Sequence, residues 1–197
     1  MTIQELEKDF EGLTEEIKEL FRDRNRDKFL QECELFIESH PYNKSIYVYK
    51  GIILEEKGLY EEAIEIFDIV INSCPDFYYV YKFKANCYIQ LRSYILARES
   101  YKEFLRYNSD NAEAWCFMCL CFYLEGKKEV ALGLLDHALG EVTNKSLVSL
   151  LKGMLYENED MDEDALINYV QSQISSKDNE ERQIAGSRIF KVMTKEN

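Results

Sequence analysis

Residues 44–77 read KSIYVYKGIILEEKGLYEEAIEIFDIVINSCPDF, and the same frame returns 34 residues later from Tyr78, again from Ala112 and again from Ser146. Alanines at 63, 97, 131 and 165 mark the period, in a chain with only nine alanines among its 197 residues. Neighbouring columns keep step: Tyr47, Tyr81 and Trp115; Phe67, Tyr101, Leu135 and Tyr169; Leu54, Tyr88, Phe122 and Tyr156. Small residues recur at Gly51, Ala85, Cys119 and Gly153. A constant period of this length signals a repeated supersecondary unit.

The residue types in these columns suit pairs of antiparallel helices. Backbones that cross closely need a small side chain at the crossing, which the Gly and Ala columns supply. The aromatic columns fill the space between successive pairs, each burying a large apolar area. Gly58 and Gly126 fall between the two helices of a pair, where a left-handed backbone costs glycine nothing. Pro41 and Pro75, the chain's two prolines, stand where one unit stops and the next begins. The pattern predicts helices near 3–24, 27–39, 43–57, 60–73, 77–91, 94–108, 111–125, 128–140, 145–157, 161–175 and 179–194. Thr2 with Glu5, and Asp178 with Glu181, have capping-box spacing at the first and last of these. Ile3, Leu6, Phe10, Leu13, Ile17 and Leu20 run as one stripe along the first. Ile184, Ile189, Phe190 and Met193 of the last are expected to cover the open end of the stack.

The columns resemble the tetratricopeptide repeat (TPR), whose pattern sets an aromatic, Gly and Tyr on a first helix before Ala, an aromatic and a terminal Pro. The unit at 44–77 keeps Tyr47, Gly51, Gly58, Tyr60, Ala63, Phe67 and Pro75. The unit at 112–145 keeps Trp115, Gly126, Ala131 and Ala138; those at 78–111 and 146–177 keep Tyr81, Ala97 and Tyr101, and Gly153, Ala165 and Tyr169. A degenerate unit at about 10–43 has Phe29 where Ala belongs. The resemblance implies an all-α, right-handed superhelical solenoid of about five helix pairs, one domain over 1–197, with a capping helix at 178–195. It further implies a concave groove lined by the first helices. On this chain the groove takes Ser45, Val48, Ile52, Glu55 and Glu56, then Tyr79, Lys82, Asn86, Ile89 and Gln90. Next come Glu113, Cys116, Leu120, Tyr123 and Leu124, and finally Leu147, Leu150, Met154, Glu157 and Asn158. The last two sets are markedly apolar, and contiguous exposed apolar surface usually marks an interaction site. The expected partner is an apolar or amphipathic protein segment with basic flanks; coverage by the terminal helix or by a second copy, a homodimer, is the competing expectation. One branch of the family clamps C-terminal carboxylates; Lys82 and Asn86 match its opening pair, but Phe117, Leu147 and Leu151 replace the remaining polar positions.

Thirty-seven acidic against 24 basic side chains give a net charge of −13. Such a surface repels phosphate backbones and anionic lipid, which disfavours nucleic-acid or direct membrane binding. No signal-like or membrane-spanning stretch is seen, so a cytoplasmic location is expected. Cys116, Cys119 and Cys121 read C-x-x-C-x-C, yet on one helix the three cannot face a single metal, and Cys119 sits in the small-residue column. His40 and His137 have no nucleophile and orienting group beside them in sequence, and no phosphate-cradling loop occurs. The acidic run 157–164 lacks the glycine and terminal Glu of a calcium loop and reads as a solvated turn. No catalytic residue, cofactor or metal ligand is assigned. The expected function is a non-enzymatic scaffold or adaptor, the alternative a small dedicated TPR chaperone masking a hydrophobic client segment.

Overall fold

The computed structural model describes residues 13–23, 25–74 and 77–195. Pro75, and the proposed cap and stripe residues Thr2, Ile3, Glu5, Leu6 and Phe10, lie outside them. The described residues form α-helices and no strand: α1 (Glu15–Arg22), α2 (Arg26–Ser39), α3 (Lys44–Glu56), α4 (Tyr60–Ser73), α5 (Val80–Gln90), α6 (Tyr94–Tyr107), α7 (Ala112–Leu124), α8 (Lys128–Glu141), α9 (Ser146–Asn158), α10 (Asp162–Ser175) and α11 (Asn179–Lys195). The chain divides into two compact units, Met1–Phe104 and Leu105–Asn197.

In the first unit α1 packs on α2, α2 on α3, α3 on α4 and α4 on α5, while α3 also touches α5. The second unit repeats this order. There α7 packs on α8, α8 on α9, α9 on α10 and α10 on α11; α7 also touches α9, and α9 touches α11. Each unit is therefore a stack of antiparallel pairs whose first helices lie side by side. Lys50–Glu34, Lys84–Asp68 and Lys152–Asp136 are the same ion pair in three places, each joining a first helix to the helix before it.

The small-residue column does what its chemistry requires. A Cβ added at Gly153 would lie 2.7 Å from the Tyr169 ring and 3.2 Å from the Ala165 carbonyl, and one at Gly51 would run into the Phe67 ring. The largest opposing side chains thus meet the smallest crossing residue. Ala63, Ala97, Ala131 and Ala165 are all fully buried.

One turn geometry joins first to second helices throughout. Gly58 and Gly126 have φ of 78°, as their sequence position predicts, and Arg92 and Asp160 take φ of 55° and 58° at the same point of their repeats. In each turn the following N–H reaches back five residues: Leu59 to Leu54, Ser93 to Tyr88, Lys127 to Phe122 and Met161 to Tyr156, at 2.8–3.0 Å. This is the closing bond of a left-handed helix C-terminus.

The expected helix over 3–24 does not run unbroken. Thr14 is extended (φ −69°, ψ 150°), and its side chain accepts the Ile17 N–H, so α1 starts at Glu15. Thr14 followed by two glutamates is an N-cap with an acidic first turn. The degenerate pair still packs. Phe29 is fully buried, with its ring 5.6 Å from Phe21, which in turn meets Tyr49 at 5.0 Å. The helix expected from 77 begins at Val80, after a turn in which the Phe77 and Tyr79 rings meet at 5.5 Å, tilted by 54°.

The terminal helix corrects a sequence expectation. It buries Ala185 and Val192, with Ile189 packed beside them, and leaves Ile184, Phe190 and Met193 exposed. Two small side chains let α11 lie close against α9 and α10; bulkier residues on that face would hold it off. The Asp178 cap forms, accepting the Glu180 and Glu181 N–H groups at 2.7 and 3.4 Å, but the Glu181 side chain does not reach back to the Asp178 N–H, which bonds Ser176. Glu181 instead bonds Ser146 and Ser176.

Candidate functional site

The apolar groove forms in the second unit between α7 and α9. Asn111 caps α7 by accepting the Ala114 N–H at 2.8 Å, and Asn144 accepts the Ser146 N–H at 3.2 Å where α9 begins. From these fixed starts each helix turns one stripe toward the other, spaced by three and four residues. Glu113, Cys116, Phe117 and Leu120 face Leu147, Leu150, Leu151 and Met154 across a cavity of about 500 Å³. That volume lies within the range of ligand pockets, and only Glu113 among the lining side chains is charged. Leu120, Phe117, Leu147 and Leu151 are half-buried and Met154 is 37% exposed, so the groove has an accessible wall and a buried floor.

Of the ten groove positions expected on α7 and α9, six line this cavity: Glu113, Cys116, Leu120, Leu147, Leu150 and Met154. Two of the six belong to the floor. Cys116 is 8% exposed, and Leu150 packs in a core cluster with Ala165, Tyr169, Ala185 and Val192. Tyr123 stands further along α7, donating its hydroxyl proton to Glu159 at 2.7 Å, and Leu124 is exposed. Phe117 and Leu151 also line the cavity, although the family resemblance singles them out only as departures from the carboxylate-clamp pattern.

The charge around the cavity is uneven. Burial, together with the nearby carboxylates of Glu113 and Glu181, pushes the Cys116 thiol up to about 12. That end of the groove is anionic, and the thiol there is held as a poor nucleophile. Cys33, Cys87, Cys119 and Cys121 are buried as well, and burial raises the Cys33, Cys87 and Cys119 thiols.

Glu157, expected on the groove and in a solvated turn, is instead buried. Its carboxylate accepts from the Tyr169 hydroxyl at 2.6 Å, Lys191 Nζ at 2.6 Å and Arg188 Nη1 at 3.3 Å. Burial alone raises its pKa, but the hydrogen bonds from Lys191 and Tyr169 and the Arg188 charge outweigh it, and the net shift is downward. The two cations come from α11, so this carboxylate fastens the terminal helix to the last pair. Glu159 and Asp160 do form a turn, with Glu159 bound by Lys128 and Tyr123.

Tyr79, Lys82 and Asn86 belong to the first unit. Asn86 Oδ1 accepts from the Tyr101 hydroxyl at 2.5 Å, and its amide hydrogen-bonds the Glu55 carboxyl. Burial pushes Glu55 up to about 7, opposed by Asn86 and Lys82. An incoming carboxylate would meet an engaged Asn86 and a second carboxyl group beside it. This geometry is poorly suited to a carboxylate clamp.

Among the described residues no helix is long and apolar enough to cross a membrane. No family model matches the sequence, and no curated protein matches it. Solved structures do match the fold. A TPR protein of Thermus thermophilus, TTC0263, is 18% identical, with a TM-score of 0.63 over 88% of this chain and 95% of that one. MamA from Desulfovibrio magneticus RS-1 is 15% identical, with a TM-score of 0.70 over 82% and 93%. Another MamA structure, a double mutant, is 14% identical, with a TM-score of 0.69 over 92% of each chain. The chain therefore has the TPR-type helical repeat fold.

Proposed function

We propose that this chain is a non-enzymatic scaffold or adaptor subunit whose α7–α9 groove holds an apolar or amphipathic segment of a protein partner. The observation that carries this reading is the 500 Å³ cavity with apolar walls on both helices and a single charged lining residue at one end. A segment laid in the groove buries its apolar face against Leu120, Leu147 and Met154, while a basic flank meets Glu113 and Glu181. The net charge of −13 favours such a flank over an acidic one.

The test is capture of proteins from source lysate by wild type and by a Leu120→Asp/Met154→Asp double variant. Both positions are accessible, so the variant keeps its helicity, whereas Asp at Leu150 would strike the core. The expected result is a stoichiometric partner whose capture falls roughly tenfold or more in the variant, a loss above about 1.4 kcal/mol. Equal capture by both proteins removes the groove from the function. A partner that is later released and kept soluble by the chain would make it a chaperone of the same segment.

A further inference from the structure

The terminal helix carries the columns by which a first helix meets the second helix of its own pair. Ser187 stands 34 residues after Gly153 and Phe190 stands 34 after Tyr156. The Gly153 position is the one that crosses Tyr169 and Ala165 of the partner helix in the last complete pair. The docking register agrees. Arg188 meets Glu157 across 31 residues, as Asn86 meets Glu55, so α11 lies on α9 as α5 lies on α3. In α11 the pair-closing face is open: Phe190 is 71% exposed, Ile184 39%, and Ser187 is exposed too. Among the described residues nothing covers it.

We propose that a second copy of this chain covers this face, the two α11 helices pairing antiparallel about a two-fold axis near Ser187. Antiparallel pairing is how the two helices of a pair meet in this fold, and an isologous contact needs only one surface. An axis at Ser187 sets Ile184 of each copy opposite Phe190 of the other, since they stand three residues to either side. The small Ser187 side chains occupy the crossing, as Gly and Ala do in the complete pairs. Charge is complementary in the same sense. The start of α11 carries Asp178 and Glu180 against Arg182, while its second half carries Arg188 and Lys191, of which Glu157 neutralises one charge. Antiparallel helices bring the acidic start of each copy to the basic end of the other, which also opposes their dipoles favourably.

This inference is independent of the groove, and its test leaves the groove untouched. Light scattering of the purified chain is expected to give twice the 23.3 kDa of one copy. Phe190→Asp is expected to give the mass of one copy with an unchanged helical circular dichroism spectrum. In a second variant, Ser187→Cys is expected to form an intermolecular disulfide under mild oxidation that wild type does not form. A wild type with the mass of one chain overturns the proposal, including one that gains mass only when a different protein is added. So does a Phe190→Asp protein that stays dimeric, or a dimer in which Cys at 187 fails to cross-link.

Discussion

At the scale of single residues, the turn that closes each pair separates what glycine does freely from what other residues do under strain. Gly58, Arg92, Gly126 and Asp160 stand 34 residues apart and all have positive φ. A side chain in the left-handed region costs about 1–2 kcal/mol, less for Asp, which tolerates that conformation better. Arg92 is exposed, so replacing it removes strain without removing a buried contact. Arg92→Gly is expected to raise stability by about 0.5–1 kcal/mol after the backbone entropy of glycine is charged against the gain, and Asp160→Gly by less. Urea unfolding checks both, and a loss of stability in either would contradict the strain argument. The column was legible as glycine at 58 and 126. At 92 and 160 side-chain type hides it, and only the period reveals it.

At the scale of elements, the sequence pattern located the helices well and their faces less well. Helices α2–α4 and α6–α11 begin and end within a residue of expectation, because the repeat period marks most of their boundaries, with turn glycines at 58 and 126 and Asn caps at 25, 43 and 111 reinforcing some of them. Thr14 was missed because the apolar stripe continues through it, and a cap is a matter of backbone, not of periodicity. The face of α11 was misread because apolar residues occur on both sides of it. Ala185 and Val192 were chosen by how closely the helix approaches α10, which no hydrophobicity count contains. Glu157 was read as solvated because its partners lie 31 and 34 residues away. Its role has a pH signature. The folded state holds the carboxylate below its ordinary value of 4.5, so in acid the folded chain binds fewer protons than the unfolded one. Its contribution is present above that value and lost as pH falls through the folded pKa. Glu157→Gln is expected to cost roughly 1–3 kcal/mol near neutrality and to flatten the acid limb of stability below about pH 4.5. Urea titrations of wild type and variant at both pH values measure this; parallel pH curves would remove Glu157 as the fastener.

At the scale of the whole molecule, the repeat class was readable from four alanines and their companion columns, because a fold built from one unit writes its period into every core position. The groove was half readable. First-helix positions came from the resemblance to the tetratricopeptide repeat, but that pattern does not tell an accessible wall from a buried floor. Leu150 and Cys116 proved to be floor, and Phe117 and Leu151 joined the wall. That division decides which substitutions report on binding and which on folding. The central claim, that the α7–α9 groove holds a partner segment, is tested most directly by a photo-cross-linking residue placed at Leu120, beside a control at the exposed Ile167 of α10. The account predicts a single covalent adduct with a partner protein from position 120 and none from 167. No adduct at 120, or the same adduct from both positions, would contradict it.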